Sequence, residues 1–398
     1  MNLTPSDLAR RLKEAREAAG LRQEDVARHL GLSRSSVAQI ELGNRAVTGL
    51  ELGQLGRLYG RDVRDFLATE FDPGETVLAL FRAAPEVAGQ DEALAAILDC
   101  LQLSRELASL ESLLGLDRSQ IGAPAYSFDP PRSRGQAVEQ GNRVASDERR
   151  RLGLGNRSLG DAAELVEEQG VRTAMLDLPE EVSGLTLMER GSSLAIVTNR
   201  RHHRLRRQFS WVHEYAHVLL DRAQRGTISL ESRRDDLAEV RANAFAASFL
   251  MPEEGVRAFL ADLGCRERSD PIGLYEVVLL AHHFQVSRTM AIYRLSNLRL
   301  LPQAAREALL NEEKSGRGKR IEDLLGLPHP DHAAARDEFR LRFLGLAIEA
   351  YRREKITRAK LRELALLVGY DRAAIDDLLE SAGLDGEDVE PLLPEDLE

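Results

Sequence analysis

Cysteine is nearly missing from these 398 residues; Cys100 and Cys265 are the only two. Two distant thiols form neither a disulfide framework nor a cysteine metal motif, so the composition suits a reducing cytoplasm. Both are expected to pack as small apolar residues. No apolar run approaches the roughly 20 residues needed to cross a bilayer, so nothing is expected to span a membrane. The start, Met1-Asn2-Leu3-Thr4-Pro5-Ser6-Asp7, lacks the basic-then-apolar layout of a secretory signal. A basic excess is also absent. The net charge of −11 argues against a polybasic membrane surface or a general nucleic-acid coat. Neither a glycine-rich phosphate loop nor a nucleophile elbow occurs.

What remains is ample for folding. A hydrophobic share of 43% supports sizeable cores, and 30% charged residues is ordinary for a protein in water. The length suits two or three domains.

The chemistry is concentrated in Trp211-Val212-His213-Glu214-Tyr215-Ala216-His217, which contains H-E-x-x-H. On a helix, His213 and His217 stand one turn apart on one face, so two imidazoles can grip one divalent metal. Glu214 lies beside them, placed to take a proton from water. Ser210 is a plausible N-cap, and Phe209, Val212, Ala216, Leu219 and Leu220 supply an apolar stripe. A catalytic zinc site usually takes a third protein ligand. Downstream, an alanine-rich helix is expected from Leu237 to a stop at Pro252. Glu239 and Asn243 share a face of it, so that one can ligate while the other hydrogen-bonds a ligand histidine.

These residues resemble the ImmA/IrrE-type metallopeptidases, whose hallmark is an HExxH helix followed by a segment like E-x-x-A-N-x-F-A-A-x-x-L-M-P. This chain reads H-E-Y-A-H-V-L-L and then E-V-R-A-N-A-F-A-A-S-F-L-M-P. The likeness spans about residues 136–300, from the lead-in Arg206-Arg207-Gln208-Phe209-Ser210 to Leu280 through Ser287. It implies His213, His217 and Glu239 as metal ligands and Glu214 as general base, with Asn243 behind a ligand. It implies zinc, with manganese as the alternative, and a narrow substrate, a repressor or antitoxin-like protein cut in a stress or mobile-element response. Nearby histidines are discounted: His202 and His203 in a basic run are expected in a solvated loop, and His282 and His283 as structural. Tyr215 falls off the ligand face.

A second signature opens the chain. Leu8, Leu12 and Ala15 mark one helix, and Gln23 to Leu30 a short second one. After the turn Gly31-Leu32-Ser33, a third helix runs through Leu42 and ends at Gly43-Asn44. The run from G-L-R-Q-E-D-V-A to Q-I-E-L-G-N-R is similar to the Cro/repressor-type (XRE) helix-turn-helix domain. The resemblance implies double-stranded DNA as partner. Arg34, Ser35, Ser36 and Gln39 occupy the base-reading face of the third helix, and Gln23, Asn44 and Arg45 the phosphate-contacting places. Val37 and Ile40 are assigned to the core. Residues 1–70 hold 11 Lys/Arg against 10 Asp/Glu, too few cations for strong unaided binding, which calls for a homodimer on a two-part site.

The expected organisation is a DNA-binding domain over 1–70, a helical connector and linker over 71–135, a metallopeptidase domain over 136–300 and a helical region over 301–398. In the connector, Leu94, Ile97, Leu98, Leu101, Leu107, Leu110 and Leu113 form a stripe, packing within the chain or on a second one. Short strands are expected at 171–178, 185–188 and 194–197. The stretch 221–236, polar with Arg222, Arg225, Arg233 and Arg234, is a candidate cover for the site. A second helix-turn-helix-like unit runs from Ile356 through Leu379, without a base-reading set. Residues 315–326 and the acidic tail from Asp385 are expected to be mobile. The fold class is multidomain and mainly α: an all-α amino-terminal domain, an α+β zincin-like domain with a small sheet, and a helical carboxy-terminal region. The rival function is a non-enzymatic transcription factor whose metal-bound domain senses or dimerises. A weaker third is cleavage of the chain's own linker over 119–135.

Overall fold

A computed structural model describes residues 4–18, 21–59, 63–67, 91–116, 122–187, 195–222, 226–265, 272–328 and 338–381. Residues 71–90 of the connector, 119–121 of the linker, the strand ends Met188 and Leu194, Arg225 and the tail from Asp385 lie outside these. Among the described residues no helix is long and apolar enough to cross a membrane.

The amino-terminal unit is α1 (Pro5–Ala18), α2 (Gln23–Leu30), α3 (Arg34–Glu41), α4 (Gly49–Leu58) and α5 (Val63–Leu67). Gly31 ends α2 with φ of 65°, a left-handed conformation that an L side chain resists. Ser33 then starts α3, its hydroxyl accepting from the Ser36 N–H. Leu12, Val26, Val37, Ile40, Leu55 and Phe66 close one core.

In the rest of the chain the helices are α6 (Asp91–Leu113), α7 (Arg134–Arg151) and α8 (Ala162–Glu168). Strands β1 (Arg172–Leu176), β2 (Val182–Leu187) and β3 (Ala195–Asn199) follow. Then come α9 (Arg204–Leu220), β4 (Gly226–Leu230) and α10 (Leu237–Leu250). The sheet is mixed, in the order β1-β3-β2-β4, with β1 parallel to β3 and the other pairs antiparallel. β4 was not expected. Only Ile228 and Leu230 in Gly226–Leu230 are apolar, too brief a pattern to announce a strand, and pairing with β2 supplies the missing stabilisation. Within the stretch 221–236, residues 226–230 are therefore the sheet's fourth strand, followed by a short turn of helix over Glu231–Arg233.

Strand alternation gives the sheet two unlike faces. Ala174, Leu185, Leu187, Val197, Ile228 and Leu230 point to a second apolar core. The alternate positions Gly184, Thr186, Ile196 and Thr198 face α9, with Thr186 bonded to Glu214 and Ile196 in the main core. α10 packs closely on α7 because Gly141 leaves room: a Cβ there would lie 2.4 Å from the Arg241 carbonyl oxygen.

After α10 the chain continues as α11 (Glu253–Asp262), α12 (Leu274–Phe284), α13 (Arg288–Asn297), α14 (Gln303–Lys314) and α15 (Arg317–Leu325). α15 corrects the expected mobility of 315–326. Gly316 and Gly326 bound the helix in left-handed conformations, and Arg288 pairs with Glu313 before it and Glu322 within it. Gly318 gives that pair room, since a Cβ there would overlap the Glu313 carboxylate.

The chain ends its described part with α16 (Glu338–Arg352), α17 (Arg358–Leu367) and α18 (Arg372–Ser381). Phe343, Ala347, Leu361, Leu364, Ile375 and Leu379 join Cys100, Leu103, Leu107 and Leu110 of α6 against the apolar side of the sheet. Of the expected connector stripe, Leu107 and Leu110 pack within the chain beside Cys100 and Leu103, Leu113 is exposed, and the side chains of Leu94, Ile97, Leu98 and Leu101 lie outside what is described.

Candidate metal centre

α9 begins where the His203 side chain accepts the Leu205 N–H, so His203 caps the helix, not Ser210. Nearly three turns on, His213 and His217 project from one face, as one-turn spacing demands. Across from them α10 presents Glu239. The His213 Nε2 lies 3.1 Å from Glu239 Oε2, His217 Nε2 lies 3.4 Å from Glu239 Oε1, and the two Nε2 atoms are 3.3 Å apart. Tetrahedral zinc with bonds of about 2.0–2.1 Å separates its donors by about 3.3 Å, so this triangle has the right size and donor types. It is the one group of this kind among the described residues.

The rings are held from behind. Asn243 Oδ1 accepts from His213 Nδ1 at 3.0 Å, and Asp221 Oδ2 accepts from His217 Nδ1 at 2.8 Å. Each Nδ1 thereby keeps its proton, and each Nε2 is left to face Glu239. Burial alone would lower the His217 pKa, but the Glu239 and Asp221 carboxylates outweigh it and hold it well above its ordinary value. Burial likewise pushes Glu239 up, and the two imidazoles reverse this and keep it well below the carboxylate range. The cluster is a concentrated set of opposite charges, the setting a cation replaces by displacing a proton.

Glu214 is fully buried. Its Oε2 accepts from the Thr186 hydroxyl at 2.7 Å, and its Oε1 has no partner among the described residues. Gly184 on β2 forms the floor, since a Cβ there would lie 2.9 Å from Oε1. The buried hydroxyls of Thr198, Thr227 and Ser229 also lack partners among the described residues. Register places Thr198 and Ser229 on either side of Gly184, and Thr227 beside Thr186. A carboxylate with one anchored and one open oxygen, beside a row of open hydroxyls, is suited to hold water and move a proton.

The remaining candidates lie elsewhere. Tyr215 is buried and donates to Glu148 at 2.6 Å. His202 is also buried, against the Glu180 carbonyl, rather than solvated, and burial lowers its pKa. His283 stacks on Phe259, and His282 is exposed. Sequence reasoning missed Asp221, Arg241, Thr186 and Gly184. For Asp221 a signal existed, since it follows His217 by four residues on the same face.

On the amino-terminal unit, Arg34, Ser35, Gln39 and Asn44 are exposed, and Ser36 is half-buried with its hydroxyl 2.8 Å from that of Ser33. Asn44 donates to Gln39 at 3.0 Å, holding the two side chains together. Gln23 instead donates to Glu41, itself in a buried pair with Arg16. Arg45 is paired with Glu51 at 2.6 Å.

Residues 166–296 match the family model for the IrrE N-terminal-like domain, peptidase M78, and residues 7–67 match one for a helix-turn-helix domain. No curated protein matches the chain. A helix-turn-helix domain and a peptidase domain of the IrrE N-terminal-like family are joined in this one polypeptide.

Proposed function

We propose that the chain is a cytoplasmic transcriptional regulator whose peptidase domain is a metal-dependent endopeptidase that cuts a specific partner, a repressor or antitoxin-like protein. The observation that carries this is the donor triangle of His213, His217 and Glu239 next to a carboxylate with one unpartnered oxygen. A divalent metal held there, zinc with manganese as the alternative, would supply Lewis acidity toward a peptide carbonyl and water. Glu214 Oε1 takes the proton of the water as its oxygen bonds to the carbonyl carbon. The same proton passes to the nitrogen as the C–N bond breaks. Thr186 keeps Oε2 fixed, so the carboxylate meets the water through Oε1. The helix-turn-helix domain would hold the peptidase near its target promoter, with Arg34, Ser35, Ser36 and Gln39 toward bases. A homodimer on a two-part operator fits the weak charge of that domain.

Metal analysis tests the site. About one zinc per wild-type chain, lost in His213→Ala and Glu239→Gln, is expected. Glu214→Gln should keep the metal and fail to relieve repression in cells. A second reading, the non-enzymatic regulator, draws support from the complete burial of Glu214 and the 1% exposure of His217, which suit an enclosed sensing site. Relief of repression by Glu214→Gln would establish that reading in place of proteolysis.

A further inference from the structure

Asp221 closes α9, four residues after His217. Its Oδ2 accepts from His217 Nδ1 at 2.8 Å, and its Oδ1 accepts from Arg241 Nη2 at 2.5 Å. Both members of the Asp221–Arg241 pair are buried, at 7% and 5% exposure. Arg241 also reaches Gln140 on α7 at 3.4 Å. A single line of polar contacts therefore runs from α7 through α10 to the end of the metal helix.

An ion pair removed from water is costly, because desolvation takes several kcal/mol per ion and the mutual attraction often only matches it. Apolar residues of similar size would close this interior about as well. The pair calls for a reason other than stability, and its position supplies one. A carboxylate on Nδ1 fixes both the tautomer and the angle of an imidazole whose Nε2 must point elsewhere. On α10, Glu239 offers a donor, Arg241 holds Asp221, and Asn243 holds His213. One helix thus sets the third donor and the orientation of both rings.

We propose that Asp221, held by Arg241, is the positioning residue that aims His217 Nε2 at the metal, so that this buried pair sets metal affinity and coordination geometry. The proposal rests on the reading of His213, His217 and Glu239 as a metal centre.

The test uses the full chain with Zn²⁺ and Co²⁺ alone, and needs no substrate. Zinc affinity is measured by competition with a chelating indicator in wild type, Asp221→Asn and Asp221→Ala, and metal-free folding is followed by thermal melting. Asp221→Asn is expected to bind zinc about 10–100-fold more weakly than wild type. Its Co²⁺ absorption bands, which report ligand geometry, should shift. Asn leaves the buried Arg241 charge uncompensated, so the metal-free melting temperature should fall as well, and binding is compared at a temperature where both proteins are folded. If Asp221→Ala fails to fold because Arg241 is left as a lone buried charge, Asp221→Asn combined with Arg241→Gln removes that charge, and the same loss of affinity is expected. Wild-type zinc affinity and unchanged Co²⁺ bands in the folded variants would overturn the proposal and leave the metal centre standing. A wild-type protein that binds neither ion would overturn the metal centre, and this proposal with it. The two failures differ because only the second appears in the wild type.

Discussion

At the scale of single residues, Gly184 shows how little space the Glu214 carboxylate is given. Its missing Cβ would lie 2.9 Å from both Glu214 Oε1 and the Val197 carbonyl, and 3.1 Å from Glu214 Cγ. Two of those atoms sit on a side chain fixed by Thr186 and the third is backbone, so none yields freely. Gly184→Ala is expected to destabilise the protein by about 1–3 kcal/mol, the usual cost of overpacking. Glu214 should be displaced while the zinc content stays at the wild-type level, because the atoms nearest the Gly184 Cβ position belong to Glu214 and Val197 and not to the proposed donors His213, His217 and Glu239. Thermal melting and metal analysis of the variant check this, and an unchanged melting temperature would contradict it. His213, Glu214 and His217 were legible in the sequence because one helical turn places them without help from any other element. Gly184 and Thr186 were not legible: they lie about 30 residues earlier, on a strand whose register against α9 is set only by packing.

Among the elements, α3 carries the DNA-reading expectation. Arg34, at its first turn, is exposed and lies 3.6 Å from Glu24 in a loose surface pair. Such pairs are worth little in water, so the guanidinium can exchange Glu24 for a guanine edge. Arg34→Ala is expected to cost about 1–3 kcal/mol in operator affinity and to relax preference at one base position. Binding assays on operator variants at fixed salt measure both, and a uniform loss across sequences would instead make Arg34 a phosphate contact. The helices were readable because their signals are local: Gly31 and Ser33 mark the turn, and apolar residues repeat at helical spacing. β4 and α15 were misread for one shared reason. Their own sequences are too polar or too glycine-rich to announce an element, and β2 in one case and Arg288 in the other supply the stabilising contacts.

In the whole molecule, the sheet separates chemistry from scaffold. One side meets α9, and the other is sealed by α6, α16 and α17. Phe343 is fully buried in that seal, so Phe343→Ala should cost about 3–5 kcal/mol. Cys100 reports on the same layer. Burial pushes its thiol pKa up, and it sits at 2% exposure, so a thiol reagent should spare it in the folded wild type. Labelling of Cys100 should speed up in Phe343→Ala as the helical layer opens, and equal rates in the two proteins would show that this layer does not depend on Phe343.

The sequence by itself determined two local things: the helix-turn-helix pattern of the first 70 residues, and the one-turn spacing of two histidines around a glutamate. Both follow from backbone periodicity, which neighbours cannot alter. The tertiary structure decided which residues stand behind those groups. Asp221 on His217, Thr186 and Gly184 against Glu214, and the two distant helical segments joined over one sheet face depend on pairings between elements far apart in the chain. Such pairings are set by close packing and strand register, which no short stretch of sequence encodes.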